Sequence, residues 1–321
     1  MTPSTPTSPA PPPALRGTPA ELRVAGGHRP SAATTVVGVI GDPVAHSLSP
    51  LLHNTAFAEL GLDWVSVGFR VPAGSAGDAL EGARALGIRG LSVTMPHKDA
   101  VAGLVDELSP LAARLGAVNC VVLRAPAAPA GAGGQGGATR LYGDNTDGPG
   151  LVAALRHGGR FDPTGARCLV IGGGGAARAV VAALAVAGAT EVIVVNRSES
   201  RARAAAALAG GVGRVGVAAE AARCELVVNA TPLGMAGRGD GGDDPWPVDP
   251  AVLGPGQRVV DLVYQPRTTA WMDAARGRGA DVSNGVGMLV HQAALQLTGW
   301  TGLEPPVDAM WRAATQADPP G

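Results

Sequence analysis

CLVIGGGGAARAVVAALAVAG, residues 168–188, holds the clearest signal of architecture in the chain. It opens on four apolar residues with no polar alternation, the pattern of a strand covered on both faces. Four glycines follow, then an alanine-rich apolar stretch long enough for a helix, and Gly188 ends it. A strand that runs into a helix through glycines lets the backbone approach a pyrophosphate, and the helix N-terminus offers it unpaired amides and positive dipole charge. A plain turn also accepts glycines. The strand before, the helix after and a second apolar strand, EVIVV at 191–195, favour a dinucleotide site.

The end of that second strand selects the cofactor. An NAD site usually carries Asp or Glu about 20 residues after the glycines, to bind a ribose hydroxyl. Here the strand runs into Asn196, Arg197 and Ser198, with Arg201 and Arg203 close by, and the first carboxylate is Glu199. A carboxylate at the strand end would repel a 2′-phosphate, whereas a guanidinium grips one with paired hydrogen bonds. The pattern predicts NADP over NAD. A solvated helix face is the alternative for these arginines, and it suits Arg203 better than Arg197.

On either side of this segment, the chain from about residue 34 alternates β-branched runs with helical stretches. TTVVGVIG (34–41) reads as a strand. Ser49 and Pro50 read as a helix cap and first-turn proline, with the helix ending near Gly61. WVSVGFRV (64–71) and GLSVTM (90–95) are further strands, separated by a helix that ends at Gly87. A helix is expected from Pro96 to about Leu108, then strands at VNCVVLR (118–124) and RLYGDN (140–145). A second run begins near 147 and includes strands at LVVNAT (226–231) and RVVDLVY (258–264), with a helix from about Met288. Such alternation implies α/β architecture with parallel, doubly wound sheets, in two domains. Residues 1–33, rich in Pro, Ala, Ser and Thr, read as a disordered tail, and 125–139 and 236–249 as flexible loops.

Composition bounds the partners. The 321 residues carry a formal net charge of −1, which supplies no basic patch for nucleic acid or an acidic membrane. No apolar run reaches the ~18 residues of a membrane span, and the N-terminus lacks a secretory core. Cys120, Cys168 and Cys224 are odd in number and lie in apolar contexts, as buried reduced thiols of a cytoplasmic protein would.

Polar residues gather where the first run's strands end: Ser47 and Ser49, Thr94 and Lys98, Asn119, and Asn145 with Asp147. Ligands of open α/β sheets bind outside the carboxyl ends of strands, so these four polar loops would form a cup for a polyhydroxylated molecule. Each residue alone has a plainer use: Ser49 or Asp147 as a cap, Asn119 in a turn, Lys98 on the surface. Hydride transfer from a secondary alcohol needs a group that takes the hydroxyl proton, held by a partner. Lys98 with Asp147 is the best acid/base pair on offer, ahead of His97. The histidines lack metal-ligand spacing, so no metal is expected.

These segments resemble the shikimate dehydrogenase family from residue 36 to about 315. GDPVAHSLSPLLHN, SVTMPHK, GAVNC, GDNTDG, GGGGAARA, NRS, NATPLGM, DLVYQPRTT and GVGMLVHQA follow its ordered motifs. The resemblance implies an N-terminal α/β substrate domain (34–146 with 287–321, the last helices returning to it) and a Rossmann-like NADP-binding domain (147–286). It implies Lys98 and Asp147 as the catalytic dyad, and Ser47, Ser49 and Tyr264 at the substrate carboxylate. Thr94, Asn119 and Gln292 would bind ring hydroxyls or orient the dyad. Gly172, Gly173, Gly174, Gly175 and Ala176 would cradle the pyrophosphate. Asn196, Arg197, Ser198 and Arg201 would hold the 2′-phosphate, and Thr231, Leu262, Gly285 and Met288 would line the nicotinamide end. The implied reaction is reversible reduction of 3-dehydroshikimate to shikimate with NADPH, in aromatic amino acid and chorismate biosynthesis, by a monomer or homodimer. Three positions depart from the usual motifs: Ser92 for Asn, Gly173 for Ala and Cys120 for Thr. Quinate or aminoshikimate as substrate, or a non-catalytic NADP(H)-binding paralogue, are the alternatives; retention of Lys98, Asn119 and Asp147 together argues against the last.

Overall fold

The structure, a computed structural model, describes residues 30–124, 139–235 and 246–317. The expected tail, apart from 30–33, therefore lies outside the described residues, as do 125–138 and 236–245 of the two expected loops. The elements run β1 (Thr35–Gly41), α1 (Ser49–Glu59), β2 (Trp64–Arg70), α2 (Ala76–Ala85), β3 (Gly90–Val93), α3 (Lys98–Ala102), β4 (Glu107–Leu108), α4 (Pro110–Leu115), β5 (Cys120–Arg124) and β6 (Arg140–Asp144). They continue α5 (Asp147–Arg156), β7 (Arg167–Ile171), α6 (Gly175–Val186), β8 (Glu191–Val195), α7 (Glu199–Ala207), β9 (Gly213–Val215), β10 (Leu226–Asn229), β11 (Arg258–Asp261), α8 (Ala270–Gly277), β12 (Asp281–Ser283), α9 (Val286–Thr301) and α10 (Val307–Gln316).

Among the described residues the strands form two six-stranded sheets. The second, in the order β12-β11-β10-β7-β8-β9, is parallel throughout, as its continuous apolar strands predict. The first, β2-β1-β3-β5-β6-β4, is not. β5 runs antiparallel to both β3 and β6, which corrects the expectation of an all-parallel sheet. The reversal has a geometric use. It brings the amino end of β5, and Asn119 with it, to the edge where β3 and β6 end.

Two further expectations change. The helix expected over 96–108 is one short turn, α3, followed by the edge strand β4; a second helix, α4, is capped by the Ser109 hydroxyl and closed by Gly116 at φ 59°. Ser49 does not cap α1. Leu48 holds the cap position, and Ser49 lies within the first turn with Pro50.

Helices α9 and α10 leave the second sheet and pack on the first. Val290, Leu297, Trp300 and Met310 join Val37, Leu52 and Phe57 in one apolar core. Trp300 lies so close to β3 that a Cβ on Gly90 would stand 2.2 Å from its Nε1, and that Nε1 donates to the Val121 carbonyl at 3.0 Å. The three cysteines are free and buried, and burial pushes the thiols of Cys168 and Cys224 up to about 12 and about 11. No helix among the described residues is long and apolar enough to cross a membrane.

His53 of α1 sits in the same core, fully buried, with Nδ1 3.1 Å from the Ser66 hydroxyl and its ring edge-on to Trp300 at 4.8 Å. Burial holds its pKa down at about 3, against an ordinary 6.5. As pH falls below 6.5 the unfolded chain takes up a proton here that the folded chain refuses, so stability falls. The expected slope is ~1.4 kcal/mol per pH unit from this residue. Urea midpoints at pH 7, 6 and 5 should decline, and less steeply in His53→Leu; parallel declines in both proteins would refute the assignment.

Candidate active site

A cleft of about 210 Å³ lies between the two sheets. The first sheet and the loops at its edge supply Ser47, Ser49, Thr94, Lys98, Asn119 and Asp147. The second half of the chain supplies Ala176, Leu262, Tyr264, Gly285, Met288 and Gln292. Twelve of the sequence-predicted site residues therefore meet in one place, and Ser92 joins them.

At its centre Lys98 Nζ donates to Asp147 Oδ2 at 2.6 Å. The Asp147 side chain is 8% exposed and that of Lys98 26%. The other carboxylate oxygen, Oδ1, accepts from Asn119 Nδ2 at 2.8 Å. Both carboxylate oxygens thus have a fixed donor, which a nearly buried charge requires. Among the described residues Lys98 has no other partner, so two of its three donors remain for a ligand.

Asn119 is itself locked. Its Oδ1 accepts from the Thr146 backbone N–H at 2.7 Å, its Nδ2 donates to Thr146 Oγ1 at 3.0 Å, and its carbonyl accepts from Gln296 Nε2 at 3.0 Å. Thr146 Oγ1 in turn donates to the Gln292 carbonyl at 3.1 Å. Thr146 and Gln296 are absent from the sequence-predicted set. Their polarity beside motif residues was a visible signal for Thr146; Gln296 reads as one polar residue on an apolar helix. His97, the rival to Lys98, is 1% exposed and bonds the Val71 carbonyl through Nε2 at 2.7 Å, away from the cleft.

The second-sheet wall rests on a buried network at the ends of β10 and β11. Asn229 Nδ2 donates to Asp261 Oδ1 at 2.9 Å, and Thr269 Oγ1 to Asp261 Oδ2 at 2.8 Å. The Val263 N–H also reaches Asp261 Oδ1, at 3.1 Å, which sets the loop presenting Leu262 and Tyr264. Thr231 bonds Asn229 Oδ1 through both its N–H, at 3.0 Å, and its hydroxyl, at 2.7 Å. Burial pushes the Tyr264 hydroxyl pKa up, so it stays protonated and able to donate.

The glycine turn continues the cleft. Gly172 has φ +125°. A Cβ on Gly173 would stand 2.9 Å from Arg201 Cβ, which explains glycine where the family motif usually has alanine. At Gly174 and Gly175 an added Cβ would meet nothing within 4 Å, and Gly174 caps α6 without any side-chain hydrogen bond. This is an open cradle of unpaired amides at a helix start. Beside it, Asn196 Nδ2 donates to the Ser198 carbonyl at 2.9 Å. Arg197 and Arg201 are exposed and carry no ion pair among the described residues, whereas Arg203 pairs with Glu199 at 2.5 Å on the helix face. These residues fit a dinucleotide with an additional phosphate.

Residues 39–121 match the family described as shikimate dehydrogenase substrate binding domain, 156–230 shikimate / quinate 5-dehydrogenase, and 285–315 the shikimate 5′-dehydrogenase C-terminal domain. The shikimate dehydrogenase (NADP(+)) of Moorella thermoacetica is 42% identical over 89% of this chain and 94% of its own length. The chain belongs to the shikimate dehydrogenase family. Its two-domain α/β fold matches solved structures of that family. The Thermus thermophilus shikimate 5-dehydrogenase, solved with NADP(H) and shikimate, is 37% identical with TM-score 0.75, covering 88% of this chain and 99% of that one. A quinate dehydrogenase from Corynebacterium glutamicum, solved with NAD, is 29% identical with TM-score 0.76, covering 88% and 99%.

The Asn119 lock yields a test within this shikimate dehydrogenase fold. Asn119→Ala leaves Asp147 Oδ1 buried without its donor, and should cost about 1–3 kcal/mol of stability. Equal urea midpoints for variant and parent would show that the lock contributes nothing.

Proposed function

We propose that this chain catalyses the reversible NADP(H)-dependent reduction of 3-dehydroshikimate to shikimate, a cytoplasmic step of aromatic amino acid biosynthesis. The reading rests first on the 2.6 Å Lys98–Asp147 pair, on the wall of a cleft that also holds Ala176 and Met288. We assign residues 34–146 with 287–321 to substrate binding and 147–286 to the cofactor.

Bound NADPH supplies the hydride. Every other part belongs to the chain. The Ser47 and Ser49 hydroxyls and the protonated Tyr264 donate to the substrate carboxylate. Thr94 and Gln292 meet ring hydroxyls. Lys98 gives a proton to the oxygen of the carbonyl as it becomes an alcohol, and takes it back in the oxidative direction. Asp147 fixes the Lys98 ammonium and accepts from a neighbouring ring hydroxyl. Gly172, its own N–H held by the Val195 carbonyl, sets the turn of the cradle, and Gly173 to Ala176 offer amides to the pyrophosphate; Thr231, Leu262, Gly285 and Met288 pack the nicotinamide end, and Asn196, Arg197, Ser198 and Arg201 hold the 2′-phosphate.

Lys98→Ala should lower kcat for shikimate oxidation by roughly 10²–10⁴-fold with a much smaller change in KM, the usual worth of a placed acid/base. A variant at full rate overturns the dyad. Arg197→Ala should raise KM for NADPH by about tenfold or more, from loss of a charge-assisted bond, and leave the response to NADH as it was. Equal effects on both cofactors would remove Arg197 from the phosphate site.

A further inference from the structure

A second cavity, of about 160 Å³, adjoins the catalytic cleft at Met288, which lines both. It is bounded by α5, α9, α10 and the β11–β12 edge, with Arg258, Arg160, His157, Ser283 and Trp311 among its walls. Its chemistry differs from that of the catalytic cleft. No carboxylate lines it.

Arg258, at the start of β11, is 5% exposed, an unusual burial for a guanidinium. Its Nη1 meets Asp281 at 2.5 Å as an ion pair without hydrogen-bond geometry, and Asp281 is itself 64% exposed. Its Nε is buried without a hydrogen-bond partner, and no bond engages Nη2 among the described residues. Nη2, unlike Nε and Nη1, is not closed off from solvent, so it is the charged donor that a carboxylate or phosphate in the cavity can reach. A charged donor left unpaired on a nearly buried side chain costs stability, so the unmet Nη2 at a cavity wall points to a ligand that meets it.

The surroundings agree. Arg160 is exposed, lines the same cavity and has no partner among the described residues. His157 stacks flat on Trp311, centroids 5.4 Å apart and planes 7° apart, which fixes its ring at the wall. A water occupies about 30 Å³ of liquid, so the space suits one compact anion with a few waters.

We propose that this cavity is a second binding site, for a small oxyanion of the phosphate or carboxylate class, held by Nη2 of Arg258 with Arg160 at the mouth. Lys98 and Asp147 do not line the site, which touches the cleft only through Met288, and the proposal does not depend on the reaction assigned above. It touches the two helices that bring Asp147 and Gln292 to the cleft, so occupancy is placed to stiffen their packing.

The test is calorimetric titration of the full chain with inorganic phosphate and, separately, acetate, with melting temperature followed in parallel. One saturable phase is expected, with an accompanying rise in Tm. Arg258→Met should weaken that phase by about tenfold or more, the worth of a charge-assisted bond. Because Asp281 is largely solvated, its carboxylate is not stranded in this variant. Arg160→Ala, at an exposed position, should weaken the phase to a lesser degree and covers the case of a misfolded Arg258→Met. Tighter phosphate or tighter acetate binding identifies the class, and either supports the site. Arg197→Ala should leave the phase intact. Loss of the phase in Arg197→Ala with retention in Arg258→Met and Arg160→Ala would place the anion at the glycine turn and overturn the proposal, as would no saturable phase in the parent.

Discussion

The carboxylate of Asp147 is the group around which the site is arranged. It is nearly excluded from water, and a charge so placed is tolerated only where both oxygens have donors in good geometry. Lys98 meets one oxygen and Asn119 the other. Each donor brings its own requirements. Lys98 must begin a helix after β3, and Asn119 must stand at the same edge, which it does because β5 is reversed. The amide of Asn119 must face one way only, and Thr146 fixes it by bonding both ends. The carbonyl of Asn119 is reached by Gln296, so the dyad's geometry depends on α9 returning from the second sheet. Dyad and fold are thereby one problem: local sequence supplies the acid/base pair, and distant chain holds it still.

Helix α5 carries this constraint between the two sheets. It begins at Asp147 and crosses both α6 and α9 at close range. A Cβ on Gly148 would stand 2.3 Å from the Ala179 carbonyl, and one on Gly150 would stand 2.7 Å from the Gln292 backbone nitrogen. Neither glycine has an unusual backbone angle; each is small because another helix occupies the space. The residues just past the dyad's aspartate are thus shaped by packing, and they put the pyrophosphate helix and the Gln292 helix against the same element.

Much of this was legible in the sequence, for physical reasons that vary by element. β7, the glycine turn and α6 are legible because a strand buried on both faces is apolar throughout and glycines punctuate its end. The polar cup is legible because hydroxyls, amides and a lysine at strand ends have few other uses in combination. Strand direction is not legible: nothing local to VNCVVLR distinguishes an antiparallel neighbour from a parallel one, and the reversal emerges only from pairing. The two-residue β4 is too short to have a period. Ser49 carries a cap signature that Leu48 overrides, because Pro50 alone suffices to start the turn. Asp261 falls in the expected strand RVVDLVY and Thr269 in the motif DLVYQPRTT without a role for either, and only the fold shows them joined beneath the cofactor wall.

The cofactor end rests on a different balance. The glycine turn needs open space for a pyrophosphate at Gly174 and Gly175, yet close packing at Gly173 against Arg201. That contact keeps the start of α7 beside the turn, where two guanidiniums, unpaired among the described residues, stand in place of a carboxylate. Dyad and arginines are probed together by the steady-state rate of shikimate oxidation by the wild-type chain, with NADP and with NAD, alongside quinate under the same conditions. Turnover should strongly favour shikimate with NADP. Preference for quinate with NAD would contradict the reading of Asn196 to Arg201, and the absence of turnover with every pair would contradict the role of Lys98 and Asp147.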